Sequence, residues 1–396
     1  VSADLLQTEF SAALRDHLRP GMTVALGDGV GSPRCLDDGA SVCSTLSAVA
    51  RCVGGVRLLL GWLPSPPTGF EADAFAEVVA IMPGWGVRNV LTSPTARFVP
   101  TRLSSVPALM RGVLRPDVLI TRVVNRAGRF HFSTEVSWQR EIVDAGAAVF
   151  AIADANAPHA DAGPPLTAEA IVFIGGTSDG PAQMASVVPD AIHEALADSV
   201  LRFVPEGARL QYGPGKLGTA LLNRTQRPVR IDTGLLTDAV VDLDTRGLLI
   251  GMPSATYLFG TDTLYRWADG KPILRGIDYT HDLTRLSRGL PLIAVNTALE
   301  IDPFGQINVE GIGDKVVGGI GGHPDYCAAA SMSRGGLSII AVPSTENGRS
   351  PFVEQLSRPT STPAHDIDLI VTESRHADLR GADWDQRRRL IGALFE

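Results

Sequence analysis

Short apolar runs alternate with amphipathic stretches along nearly the whole chain, and this alternation most narrows what the chain can fold into. The runs at residues 56–60, 118–121, 147–152 and 170–174 have the length of single strands. They are apolar enough to be covered on both faces, as strands of a parallel sheet are. Helical spacing is found over 4–18 and 134–145, and the turn formers of P-G-M-T-V-A-L-G (20–27) lead into a further strand. Residues 175–181, G-G-T-S-D-G-P, read as a linker. Beyond it the spacing predicts a helix over 189–203, with Ile192, Leu196, Val200 and Phe203 on one face and His193 off that stripe, in solvent. Strands are predicted at 209–212, 292–295, 337–342 and 367–371, with a closing helix over 384–395. Strands that alternate with helices predict α/β architecture with largely parallel sheets. A length of 396 residues suffices for two cores, so two α/β domains are expected, at 1–180 and 186–396.

The net charge of −8 leaves no basic surplus to neutralise phosphates, which argues against a general nucleic-acid binder. Cys35, Cys43, Cys52 and Cys327 form no C-x-x-C pair and have no finger-like spacing with histidine, so buried reduced thiols are expected and no metal site is. No apolar run reaches membrane-spanning length, and V-S-A-D-L-L lacks a basic-then-apolar leader. A soluble cytoplasmic protein without membrane association is the expectation.

Two glycine-rich loops could carry chemistry. L-Q-Y-G-P-G-K-L-G (210–218) follows a predicted strand and opens a predicted helix, where backbone can approach a phosphate or pantetheine and free N–H groups favour an anion. A tight strand-to-helix turn is the plain alternative. G-G-I-G-G-H-P-D-Y (318–326) packs four glycines into five residues, a costly composition for a strand or helix. Successive N–H groups there could polarise a thioester carbonyl, with a flexible hairpin as the alternative.

These loops sit within a longer series of motifs. G-P-G-K-L-G resembles the G-I-G-x-[IL]-P loop of the acetyl-CoA hydrolase/CoA-transferase family. A-V-N-T-A-L-E-I-D-P-F-G-Q-I-N (294–308) is similar to the family's S-I-N-[ST]-A-[IL]-E-[IV]-D-L-x-G-Q-V-N, and G-I-G-G-H-P-D-Y to its G-x-G-G-Q-x-D-[FY]. S-R-G-G-L-S-I-I-A-V-P-S-T (333–345) and V-T-E-S-R-H-A-D-L-R-G (371–381) continue the match in the same order, and A-D-A-N-A-P (153–158) is loosely similar to E-V-N-x-x-[ML]-P. The resemblance implies two tandem CoA-transferase-type α/β domains, an active site in the cleft between them, and a homodimer. It also implies an acyl-CoA substrate, or a carrier-protein pantetheine thioester, and no permanently bound cofactor.

The departures concern the reaction. R-I-D-T-G-L-L-T-D-A-V-V-D-L (230–243) resembles H-[ST]-E-M-x-[ST]-D-G-V-V-[DE]-L, whose glutamate attacks the thioester, and Gly234 stands at that glutamate. A glycine cannot form a glutamyl-CoA adduct, and its small size is expected to enlarge the pocket. Asp232 stands where the family has histidine; two residues from 234 on a strand, it would share that face and is a catalytic candidate. His323 replaces glutamine beside Gly322, which the resemblance places against the thioester, so an acid or base role competes there with a structural one. Glu300 matches a family glutamate and reads as structural, with substitute nucleophile as its other reading. Gly213, Pro214, Gly215, Lys216, Leu217, Gly321 and Gly322 are the implied CoA contacts, and Glu346 lies near the position of a family lysine that touches CoA. Arg375, in place of a family glycine, could pair with a substrate carboxylate or sit in a solvated loop with His376. Hydrolysis or acyl transfer without the adduct is the leading expectation. A conventional transferase with another carboxylate, or a non-catalytic acyl-CoA binder, are the alternatives.

Overall fold

The computed structural model describes residues 8–185, 187–346 and 348–396. These residues form two compact units. The first comprises Ser105–Met184, Tyr265–Gly276 and the described part of Val1–Thr101; the second comprises Arg102–Ser104, Ala185–Leu264 and Ile277–Glu396, less residues 186 and 347. Two segments, residues 102–104 and 265–276, therefore depart from a simple division near residue 180. Residues 265–276 are tied to the first unit by backbone bonds that no periodicity announces: Asp161 N–H donates to Lys271 O (2.9 Å) and Leu274 N–H to Asp161 O (3.1 Å). Tyr265 Oη also donates to Ala182 O at 2.6 Å.

In the first unit the strands are β1 (Thr23–Leu26), β2 (Arg57–Leu60), β3 (Glu77–Ala80), β4 (Ala96–Phe98), β5 (Val118–Arg126), β6 (Arg129–His131), β7 (Ala148–Asp154) and β8 (Ile171–Thr177). Their order is β4-β3-β2-β1-β5-β7-β8, all parallel, with β6 antiparallel on β5. Every residue of β1 is buried, and Val24, Leu26, Leu58, Leu60, Val118, Ile120 and Phe150 share one core, as expected for a sheet covered on both faces. The expected linker begins later than the sequence implied, because Gly175–Thr177 pair with Ile152–Asp154 and extend β8. The helix expected over 134–145 is reduced to Gln139–Asp144. The preceding residues instead turn inward: Ser137 has φ +52°, and the Trp138 indole and Ser137 hydroxyl donate to Asp28.

In the second unit β9 (Arg209–Tyr212), β10 (Arg230–Ile231), β11 (Leu292–Asn296), β12 (Leu337–Ala341), β13 (Leu369–Val371) and β14 (His376–Asp378) form a sheet ordered β10-β9-β11-β12-β13-β14. It is parallel except for β14. Helices Ala191–Leu201, Lys216–Arg224, His323–Met332 and Trp384–Gly392 accompany it. His193 departs from its expected solvated place. It is buried, and its Nδ1 lies 2.6 Å from the carboxylate of Asp190, the N-cap of its own helix. The part of the first predicted helix at residues 4–7 lies outside the described residues; the described helix is Glu9–His17, capped by Thr8. The four cysteines are free thiols, with Cys52 exposed against expectation. Among the described residues no helix is long and apolar enough to cross a membrane.

Candidate functional site

In the second sheet the chain lays β10 on one side of β9 and β11 on the other. Open parallel sheets bind ligands outside the carboxyl ends of their strands at such a reversal. The loops that leave these ends are Gly213–Pro214–Gly215 after β9, residues 232–234 after β10 and Thr297 after β11. Gly213, Pro214, Gly215, Asp232 and Gly234 thus lie at one end of one sheet.

The loop after β9 has the expected strand-to-helix form. Gly215, at φ +112°, is the N-cap of Lys216–Arg224 and offers no side-chain cap, so the first N–H groups of that helix lack a side-chain acceptor. Only a glycine fits at 218, where a Cβ would fall 2.0 Å from Gly213 O. Lys216 is engaged: its Nζ donates to Asp190 at 2.8 Å, an exposed pair that raises the lysine pKa, with Glu346 adding to the effect. Glu346 is exposed and joins Arg349 in a backbone bridge.

The glycine loop at 318–322 ends in a helix start rather than a hairpin. Gly321 adopts φ +62° and its carbonyl accepts Leu103 N–H at 3.0 Å. Peptide C=O and N–H groups are antiparallel across a trans bond, so the Gly322 N–H points away from residue 103. Gly322 is the N-cap of His323–Met332, again without a side-chain cap. Asp325 anchors this start, accepting Ser104 N (3.0 Å) and Oγ (2.6 Å). Burial lifts its pKa to about 6 against the pull of those bonds.

The space expected above residue 234 is not empty. A Cβ at Gly234 would lie 3.3 Å from His281 Nε2, and a Cβ at Gly322 would lie 2.4 Å from the same atom. The imidazole thus touches both glycines. It is 1% exposed, its Nδ1 is hydrogen-bonded to Thr280 Oγ1 at 2.9 Å, and its ring lies against that of Tyr326, with centroids 4.9 Å apart. Burial, helped by the nearby Arg285 charge, depresses its pKa to about 3, which keeps it neutral near pH 7. Sequence reasoning missed His281, which sits in D-Y-T-H-D with no motif to mark it; only the fold brings it beside Gly234.

The acids and bases expected at the site are engaged elsewhere. Asp232 is 5% exposed, and Arg285 grips both its oxygens at 2.8 Å while Arg209 adds a bond at 3.3 Å. Glu300 accepts from Asn308 Nδ2 (2.6 Å) and from Ser357 N (2.9 Å) and Oγ (3.0 Å), so it braces two loops. His323 Nε2 donates to Thr297 O at 3.0 Å and its Nδ1 accepts from Thr362 Oγ1 at 2.6 Å, which occupies both ring nitrogens. Burial holds His323 at about 4, so it too is neutral. Arg375 is exposed and its guanidinium donates to Ala393 O, at the C-terminus of Trp384–Gly392, a favourable place for a cation.

The first unit holds a polar cluster that no motif had marked, at the end of β1. Gly29 and Gly31 press on Glu135, whose carboxylate would lie 2.5 and 2.2 Å from a Cβ at these positions, and Gly31 N–H donates to it at 3.1 Å. Burial, reinforced by Asp28, pushes Glu135 up to about 8. Between its ordinary value of 4.5 and about 8 the folded chain keeps a proton that the unfolded chain has released. This contribution to stability is full below 4.5 and falls as pH rises to about 8, by about 1.4 kcal/mol per pH unit. Glutamine has no such dependence. Glu135→Gln should therefore gain steadily on the parent in denaturant titrations from about pH 5 to 8 and level off above. A constant difference would mean that Glu135 is ionised in the folded state.

Comparison with known proteins gives the following. Residues 260–393 match the acetyl-CoA hydrolase/transferase C-terminal domain. The chain is 24% identical over 331 residues to 4-hydroxybutyrate coenzyme A transferase of Clostridium kluyveri, covering 79% of this chain and 77% of that protein. It is 28% identical over 321 residues to succinyl-CoA:cyclohexane-1-carboxylate CoA transferase of Geobacter metallireducens, covering 76% and 73%. In fold it is similar to RipA from Yersinia pestis, with TM-score 0.87 and 20% identity over 98% of this chain and 93% of that one.

Proposed function

We propose that this chain, whose residues 260–393 match the acetyl-CoA hydrolase/transferase C-terminal domain, processes an acyl-CoA thioester, by hydrolysis or acyl transfer, without a glutamyl-CoA adduct. The observation that carries this reading is the filled space at residue 234. The position that the resemblance assigns to a nucleophilic glutamate has no side chain, and an imidazole lies 3.3 Å from where its Cβ would be. The carboxylates of Asp232 and Glu300 are held by arginines and by loop donors, so neither is offered as a replacement nucleophile.

The glycine loops keep what the first step of such chemistry needs. Gly213, Pro214, Gly215, Lys216 and Leu217 would receive the CoA arm at an uncapped helix start. The N–H of Gly322 would polarise the thioester carbonyl, where charge develops in the transition state. His323, held between Thr297 and Thr362, fixes the first turn of that helix, and Asp232 steadies the segment that carries His281. Glu346 and Arg375 belong in this reading to the outer rim of the CoA path. The donor is a CoA or carrier-protein thioester, and the working form is a homodimer.

The test is conversion of acetyl-, butyryl-, succinyl- and 4-hydroxybutyryl-CoA, each with and without acetate, with free-thiol release reporting hydrolysis and a newly formed acyl-CoA reporting transfer. Turnover of at least one thioester is expected. Saturable binding with no conversion of any would overturn the reading in favour of a binding protein.

A further inference from the structure

We infer that His281 is the general base of this site and that the acceptor it serves is water, which makes the reaction hydrolysis of the thioester. The inference rests on the acyl-CoA reading above and adds to it the reacting group and the second substrate.

Three observations carry it. First, the two nitrogens of His281 differ: Nδ1 has Thr280 Oγ1 at 2.9 Å, whereas Nε2 has no hydrogen-bond partner among the described residues. The ring is 1% exposed, and Nε2 is the nitrogen left for a reacting partner. Second, the Nε2 edge of the ring lies against Gly322, with Nε2 and Cδ2 at 2.4 and 2.5 Å from the place of a Cβ there. Gly322 begins the helix His323–Met332 without a side-chain cap, so an acid-base atom and N–H groups free of a capping side chain share one small space. Third, the same ring borders Gly234, the place of the absent nucleophile.

The chemistry then selects the acceptor. A carboxylate acceptor attacks as it stands and has no proton for a base to remove. Water does need one removed. With Nδ1–H donating to Thr280, the Nε2 lone pair takes a proton from water as the water oxygen bonds to the acyl carbon. The carbonyl π pair moves onto oxygen, facing the Gly322 N–H. Collapse of this intermediate breaks the C–S bond, and the departing thiolate takes the proton from His281 Nε2. One thioester and one water give one carboxylic acid and one free CoA thiol. Burial keeps the ring neutral, so the cycle starts with an unprotonated Nε2.

The test uses the full chain and the acyl-CoA that the thiol-release panel identifies as fastest. His281→Gln should lower kcat about 100- to 10,000-fold, the usual contribution of a positioned base, and leave KM within about threefold. His281→Ala should regain part of the rate when imidazole is added. The parent should show a normal solvent deuterium isotope effect on kcat, a readout that stands even if a variant fails to fold. Parent turnover that survives His281→Gln, faster transfer to acetate than to water, an acylated chain in intact-mass spectra, or no isotope effect would each overturn the inference and leave thioester processing standing. Failure of the parent to turn over any acyl-CoA would take both down.

Discussion

Gly322→Ala should all but abolish thioester turnover, by more than about 100-fold, although it adds a single methyl group. The added carbon would fall 2.4 Å from His281 Nε2 and 3.2 Å from Tyr326 Cε2, distances at which something must move. The Tyr326 ring is fixed by its hydroxyl, which donates to Thr280 O at 3.0 Å, so the imidazole is the group displaced. Backbone strain is not the cause, because Gly322 has φ −90°, open to any residue. Overpacking of this kind should also cost about 1–3 kcal/mol of stability, measurable by denaturant titration. Gly234→Ala makes a graded comparison. Its methyl would lie 3.3 Å from the same nitrogen, a contact that a shift of a few tenths of an ångström relieves, so most of the rate should remain. Equal and full activity in both variants would show that the imidazole has no part in the reaction.

Asp232→Asn should cost about 3 kcal/mol of folding stability, because it leaves Arg285 and Arg209 without their shared counter-charge in a mostly buried site. The consequence runs further than the ion pair. Arg285 also donates from Nε to Tyr279 O at 2.7 Å and lies over the Tyr279 ring at 4.1 Å, so Asp232 holds the segment Ile277–Thr280 that leads directly into His281. A positioning role predicts that stability falls and that kcat falls with it while the variant still binds acyl-CoA. The decisive readout is Arg285→Lys, which keeps the charge but loses the two-pronged grip and should reproduce part of the kcat loss at a smaller stability cost. If Asp232→Asn removes activity and leaves the unfolding midpoint unchanged, the carboxylate is itself the base.

The parallel sheets were legible because their strands are apolar on both faces, as in β1, and because turn formers bracket them. The helix at Ala191–Leu201 followed from the spacing of Ile192, Leu196 and Val200. The spacing puts His193 in solvent because periodicity counts apolar residues and does not register its bond to the carboxylate that caps its helix. The sequence predicts helix over 134–138 as the start of 134–145, but Ser137 and Trp138 satisfy the buried Asp28 instead. At the candidate site the glycines were visible and their partner was not. A missing glutamate can be read at position 234, but the imidazole that stands there is delivered by a distant stretch of chain, and only folding shows it. The same holds for Asp232, whose neighbours in sequence say nothing of the two arginines that occupy it.

The route of oxygen in a single turnover, with enzyme in excess over acyl-CoA and the solvent labelled with heavy oxygen, separates the two chemistries most directly. Attack by water activated at His281 puts one labelled oxygen into the product acid in the first turnover and none into the protein. If the acid leaves unlabelled and the label is found on a carboxylate of the chain, a glutamyl- or aspartyl-CoA intermediate has formed and the carboxylate-free route is contradicted.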